Sequence, residues 1–194
     1  MRTLLLASNN EHKAAEIREA LGNRFRILTL AEAGIRIEIP EPHETLEENA
    51  REKSMTINTL TGRDCFSEDS GLEVEALGGA PGVHSAYYAG KGLHAGAHIG
   101  KLLDAMQGLS NRKARFRTVI SLLFDGNEYQ FQGTCEGRIL NHAQGKQGFG
   151  YDPVFAPGTE SRSFAEMDTL EKNRWSHRGQ AVSKLIEFLN GLDK

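Results

Sequence analysis

Thr3-Leu4-Leu5-Leu6-Ala7-Ser8-Asn9-Asn10, followed by Glu11-His12-Lys13-Ala14-Ala15-Glu16-Ile17-Arg18-Glu19-Ala20-Leu21, decides the fold class. The apolar run shows no alternation and ends in a polar loop, as expected of a strand buried on both faces. The segment after the loop sets Ala14, Ile17, Ala20 and Leu21 on one helical stripe and stops at Gly22. Strand, polar loop and helix in that order open an α/β unit. The loop puts Ser8, Asn9, Asn10 and Lys13 at a helix N-terminus, where unbonded N–H groups and the helix dipole favour a phosphate. The same residues would also serve as an ordinary Ser/Asn cap with a solvated lysine.

Further along, Phe25 to Leu30 and the alternating Ile35-Arg36-Ile37-Glu38-Ile39 are strand candidates, and Pro40 and Pro42 hold Glu41 extended. Thr45-Leu46-Glu47-Glu48 has the form of a capping box, opening a helix to about Leu60. At about 100° per residue, its apolar stripe is Leu46, Ala50, Ile57 and Leu60, with Lys53 in the middle and Asn49 one turn before it. A lysine in such a stripe either snorkels outward or reaches a buried anion. The nearest candidate anion in sequence is Asp69.

Cys65-Phe66-Ser67-Glu68-Asp69-Ser70-Gly71-Leu72 reads as a short half-apolar strand that stops at a carboxylate pair and turns through Ser70-Gly71. A strand end holds a carboxylate rigidly where α/β proteins place their chemistry, although a solvated polar turn has the same composition. Downstream, Ile99, Leu102, Leu103 and Met106 mark an amphipathic helix closed at Gly108, and Arg115 to Phe131 reads as a hairpin about Asp125-Gly126. Gly145 to Pro153 is a glycine-rich loop around Phe149, Tyr151 and Asp152; it would either seat a heterocycle by stacking and edge hydrogen bonds, or cover the core. Ser176 is a natural N-cap for a last helix, which puts His177 and Arg178 in its first turn, a poor place for cations unless they face an acceptor.

The bulk numbers limit the partners. A hydrophobic fraction of 39% excludes disorder, and 194 residues suit one domain over 1–194, with room for two lobes. A net charge of -3 offers no basic surface for nucleic acid. Two distant cysteines, Cys65 and Cys135, fit a reducing cytoplasm, and no apolar run is long enough to span a membrane. Glu41 and Asp69 could share a hard cation such as Mg2+, with Lys13, Lys53, Lys172 and Arg178 as partners for phosphate or base. There is no Walker lysine and no dinucleotide glycine fingerprint. From the residues alone, the expectation is a cytosolic α/β enzyme acting on a nucleotide with a metal ion.

Several motifs, taken in order, are similar to those of the inosine triphosphate pyrophosphatases. They are Ser8-Asn9-Asn10 with Lys13; Glu41 with Thr45 and Glu48-Asn49-Ala50; Asp69-Ser70-Gly71-Leu72; Pro81-Gly82-Val83 with Ser85-Ala86; Phe149-Gly150-Tyr151-Asp152-Pro153; and Ser176-His177-Arg178. The resemblance implies an elongated mixed β-sheet flanked by helices, with two lobes and a central nucleotide-binding cleft. It also implies Mg2+-dependent hydrolysis of ITP, dITP and XTP to the monophosphate and pyrophosphate by a homodimer that cleanses the nucleotide pool. By the same resemblance Asp69 activates water and, with Glu41, meets the metal. Ser8, Asn9, Asn10, Lys13, Lys53 and Ser70 would contact the triphosphate, and Phe149, Gly150, Tyr151, Asp152, Lys172, His177 and Arg178 the base. The chain departs from the family pattern at Tyr87, where arginine is common, and at Glu68, where aspartate is usual. Rival readings are a nucleotide sensor without turnover and the related septum-associated nucleotide pyrophosphatases.

Overall fold

The computed structural model describes residues 2–22 and 25–191. Their contacts divide them into two compact units. The first takes Met1–Asp69, Thr118–Gly133 and Arg178–Lys194, and the second Ser70–Arg117 and Thr134–His177. Among the described residues there are seven strands and five α-helices, so the class is α/β. The strands, numbered in chain order, are β1 (Arg2–Leu6), β2 (Phe25–Leu28), β3 (Cys65–Val74), β4 (Pro81–Gly82), β5 (Lys113–Phe124), β6 (Asn127–Ile139) and β7 (Phe155–Pro157). They form one sheet in the order β2-β1-β3-β5-β6-β7, with β4 paired to β3. The sheet is mixed: β1 runs parallel to β2 and β3, whereas β3 with β4 and β6 with β7 are antiparallel.

In the first unit, β1 is buried on both faces, as its unbroken apolar run requires. Alternate side chains go to opposite faces. Leu4 and Leu6 join Ile17 and Leu21 of helix α1 (Glu11–Leu21) and Val182 and Leu185 of helix α5 (His177–Gly191). Leu5 and Ala7 instead meet Ile57 of helix α2 (Leu46–Thr61), with Cys65 and Leu123. Serine hydroxyls seat α2 on the sheet: Ser54 Oγ lies 2.8 Å from Ser121 Oγ, and Ser67 Oγ donates to the Ala50 carbonyl. The second unit has its own core of Leu72, Val74, Phe116, Phe155 and Phe164 with Leu102 of helix α3 (Ala95–Ala105). Its last helix, α4 (Thr169–Trp175), ends at Ser176.

The Asp125-Gly126 hairpin forms as expected, with φ of 47° and 77° at its two turn residues, the paired left-handed conformations of a type I′ turn. Three expectations fail. Strand β3 does not stop at Asp69; it continues through Ser70 and Gly71 to Val74, because β4 supplies a new partner at Leu72 and Glu73. Gly71 is therefore a close-approach glycine rather than a turn residue, and a Cβ there would collide with the Gly82 carbonyl. Ile35 to Ile39 forms no strand. Ile35 and Ile39 pack on the cluster around Leu5 while Ile37 is exposed, so burial spaced by four residues replaces alternation. Leu60 is 58% exposed, and the buried stripe of α2 is Leu46, Asn49, Ala50, Lys53, Ser54 and Ile57.

The collision at Gly71 yields a prediction. Gly71→Ala is expected to lower stability by about 1–3 kcal/mol, the usual cost of overpacking, as read from the urea unfolding midpoint. A midpoint equal to that of the parent chain would contradict the close approach.

Candidate active site

The site in the first unit is built around Lys53. The helix wheel forces this lysine inward, leaving it 6% exposed, and burying an ammonium requires acceptors. Nζ donates to Glu41 Oε1 at 2.6 Å, to Asp69 Oδ1 at 2.9 Å and to the Glu68 carbonyl at 2.9 Å, one acceptor for each proton. Glu41 arrives there because Asn49, a turn earlier on α2, pins the chain beside it. Its Oδ1 accepts from the His43 N–H and its Nδ2 donates to the His43 carbonyl, each at 3.0 Å. Thr45 caps the same helix, accepting from the Glu48 N–H at 3.2 Å.

Asp69 lies just past the end of β1, whose pairing with β3 runs through Leu6 and Phe66 and closes with the Ala7 N–H on the Phe66 carbonyl at 2.8 Å. Carboxylates beyond the carboxyl end of a parallel strand occupy the usual ligand position of α/β sheets. The loop after β1 is ordered by its own side chains. Ser8 Oγ accepts from the Asn10 N–H, Asn10 Oδ1 accepts from the Lys13 N–H at the start of α1, and Asn9 Oδ1 accepts from the Ala31 N–H. Lys13 reaches 3.4 Å from Glu68 Oε1.

Beside Asp69, the Glu68 side chain is fully buried and held by Arg178. Nε donates to Oε2 at 2.7 Å and Nη2 to Oε1 at 2.9 Å, while Nη1 is engaged by Glu16 Oε2. Here Lys13, Lys53 and Arg178 stand against Glu16, Glu41, Glu68 and Asp69, three cations to four carboxylates. Burial moves the Asp69 carboxyl above the usual aspartate range, with Lys53 and Lys13 opposing and Glu41 reinforcing. Burial also acts upward on Glu41, but Lys53 and Lys13 outweigh it and its carboxyl falls below the usual range. Burial works against the Lys53 charge, yet Asp69 and Glu41 raise its pKa above that of a free lysine.

The donor set fits a hard divalent ion. Glu41 and Asp69 both present carboxylate oxygens to Lys53 Nζ, two carboxylates to one ammonium. Among the described residues no three His, Cys, Asp or Glu side chains form a ready-made cage. Mg2+ takes one or two carboxylates and completes its shell with water and substrate phosphate, so Glu41 and Asp69 are the residues that would hold it.

The second unit holds a different cluster. Asp152 Oδ2 accepts from Lys172 Nζ and from the Phe149 N–H, each at 2.7 Å, and both charged side chains are buried. Gly148 has φ of 72°, and a Cβ there would strike the Asp152 carboxylate, so glycine is required before the aromatic. Lys172 Nζ lies 5.0 Å from the centre of the half-buried Phe149 ring, within cation–π range. His177 stacks on Phe116 at 4.6 Å and 9°. Tyr151 turns into the core, 5% exposed, and its hydroxyl donates to the Ser85 carbonyl at 2.9 Å. Gly150 and Ser70 are half-buried, Ser70 following Asp69 along β3.

The structure thus gathers Lys13, Glu41, Lys53 and Asp69 in one unit, and Phe149, Asp152 and Lys172 in the other, where His177 lies on Phe116. Arg178, placed on the base side by resemblance, is bound to Glu68 and Glu16 in the first unit. Glu16 was not legible in the sequence, since a glutamate beside Ile17 looks like any solvated helix position. Glu68 stood out only as a departure from the family pattern.

The Ham1 family profile matches residues 4–188. The chain belongs to the Ham1 family. It is 48% identical over 190 residues to a dITP/XTP pyrophosphatase of Porphyromonas gingivalis, covering 97% of this chain and 98% of that protein. It is 43% identical to a dITP/XTP pyrophosphatase of Christiangramia forsetii, covering 96% and 98%. Among solved structures, the Ham1 protein of Staphylococcus aureus superposes with a TM-score of 0.88 at 34% identity over 98% of this chain and 99% of that one. A Coxiella burnetii HAM1 protein gives 0.89 at 38% identity over 98% and 100%.

For this Ham1 chain the ion-pair geometry makes a stability prediction. Lys53→Met leaves the buried Asp69 and the half-buried Glu41 without their shared cation, at an expected cost of about 3–5 kcal/mol, chiefly through Asp69. Without the ammonium the Asp69 carboxyl, already raised by burial, titrates higher still in the folded chain than in the unfolded one. The folded state then binds more protons, and stability rises as pH falls. Melting curves should therefore show the deficit of the variant shrinking from pH 7 to pH 5. A deficit that is absent, or constant with pH, would contradict the pairing.

Proposed function

We propose that this chain hydrolyses the non-standard purine nucleotides ITP, dITP and XTP to the monophosphate and pyrophosphate, removing them before they enter DNA or RNA. The observation that carries this reading is the pair of carboxylates, Glu41 and Asp69, joined by buried Lys53 just past the end of β1, in a chain nearly half identical to a dITP/XTP pyrophosphatase along its whole length. Asp69 accepts the proton of the attacking water. The water oxygen bonds to phosphorus as the bond to the bridging oxygen breaks, and pyrophosphate leaves. Lys13, Lys53, Ser70 and the Ser8-Asn9-Asn10 loop bind phosphate oxygens, their N–H groups and ammoniums offsetting the charge that develops there. Glu41 and Asp69 would hold Mg2+, which supplies further charge neutralisation and orients the phosphates.

On the base side, Phe149 offers a face for stacking, and Gly150, Tyr151, Asp152, Lys172 and His177 shape or contact the edge. Asp152 orients Lys172, a donor suited to the 6-oxo group that hypoxanthine and xanthine, like guanine, carry and adenine lacks. An amino group at that position leaves the donor unpaired, the strongest form of discrimination available to a binding site. The reading also includes a homodimer, on family resemblance, and, from composition and charge, a cytoplasmic location with no nucleic acid or membrane partner. Among the described residues no helix is long and apolar enough to cross a membrane.

The test is pyrophosphate release from ITP, XTP, ATP and GTP side by side, with Mg2+ and after chelation. The expected result is selectivity for ITP and XTP, loss of turnover on chelation, and a drop of about 10²-fold or more for Asp69→Asn with ITP binding retained. Release without base selectivity would discard the Phe149 and Lys172 assignments. Tight ITP binding with no release by the parent chain would make it a sensor.

A further inference from the structure

We propose that Ser85 is a positioning residue that fixes the span between Ser70, on the phosphate side, and the loop from Phe149 to Asp152, on the base side; this rests on the pyrophosphatase reading. Ser85 opens a short turn, Ser85–Tyr87, and is 8% exposed. Its hydroxyl stands in the ladder between β3 and β4. Oγ accepts from the Leu72 N–H at 2.9 Å and donates to the Gly82 carbonyl at 2.6 Å, and Leu72 and Gly82 face each other across the two strands. A hydroxyl both donates and accepts at one atom, so it can join an N–H to a carbonyl in this way. The Gly82 carbonyl is also the group for which Gly71, next to Ser70, must leave room. Because β4 is only Pro81 and Gly82, its own ladder is short, and the serine extends it.

Ser85 carries a second link through its backbone. Its carbonyl accepts from the Tyr151 hydroxyl at 2.9 Å. Burial, with Tyr88 reinforcing, holds the Tyr151 phenol above its ordinary range, so it stays a donor at neutral pH. Asp152 comes next in the chain, and its carboxylate takes the Phe149 N–H and Lys172 Nζ. Ser85 therefore ties β3, just beyond Ser70, to the loop that carries the Phe149 ring. Both ends of the tie lie in the second unit. A nucleotide engages both ends at once, so its affinity depends on their separation. A ligand that engages one end does not sense it.

The test compares Ser85→Ala, Tyr151→Phe and their double variant by calorimetry, with ITP, inosine and inorganic triphosphate as ligands and EDTA present to stop turnover. Each single variant is expected to weaken ITP binding about tenfold or more, the scale of a small misplacement, while inosine and triphosphate each stay within about twofold of the parent. The double variant should bind ITP no more than about twofold more weakly than the weaker single variant, because both changes cut the same tie. Losses for inosine or triphosphate as large as those for ITP would overturn the proposal, since Ser85 would then only hold one pocket in shape. Losses that multiply in the double variant would overturn it too.

Tyr151→Phe removes a single oxygen and decides the question by the same ligand comparison should Ser85→Ala fail to melt cooperatively. A parent chain that binds ITP but releases no pyrophosphate with Mg2+ would defeat the pyrophosphatase reading, while the affinities would still decide the role of Ser85. A parent chain that binds no ITP would overturn both.

Discussion

The ammonium of Lys53 is the constraint on which the first unit depends. A buried lysine is tolerated only when its three protons are met, and here they are met by Glu41, the Glu68 carbonyl and Asp69. Two of the acceptors come from β3, and the third, Glu41, from a segment whose path is otherwise weakly specified. Glu41 sits in a proline-flanked stretch without regular structure, and Asp69 lies where β3 has passed its last pairing with β1. The lysine gathers them, while Asn49 and the serines of α2 and β3 hold the helix in the register that aims it.

The second unit uses the same device on a smaller scale. Lys172 is buried against Asp152, and that carboxylate in turn takes the Phe149 N–H and fixes the loop that carries the ring. Neither arrangement is an efficient route to stability, since well-packed apolar side chains of similar volume often do as well or better than buried ion pairs. Such pairs supply fixed charge in a protected place, which phosphate chemistry requires. Around Glu68, Arg178 and Lys13 stand against Glu68 and Glu16, while Lys53 alone faces Glu41 and Asp69.

Much of this was legible in the sequence. The unbroken run of β1, the stripe of α1, the Thr45 cap, the Asp125-Gly126 turn and the inward Lys53 all follow from local periodicity and turn chemistry, which short segments carry in full. The failures lie where a distant partner decides. Ser70-Gly71 has the composition of a turn, but β4 arrives to extend the strand, and the glycine serves that approach. Ile35 to Ile39 alternates without a strand to pair with, and its isoleucines pack instead of pairing. Arg178 and Glu16 are 162 positions apart, and no local pattern announces their contact. The resemblance located the motifs and grouped Arg178 with its neighbour in the triplet; only the side-chain geometry separated the two, with His177 on Phe116 and Arg178 on Glu68.

In the proposed reaction these charges cut a nucleoside triphosphate so that two phosphates leave together. Phosphorus NMR of ITP incubated with the protein and Mg2+ tests it most directly, because it reads the phosphates themselves. The account predicts signals of inosine monophosphate and pyrophosphate growing in equal amounts from the first turnover. Inosine diphosphate with inorganic phosphate as the first products would contradict it.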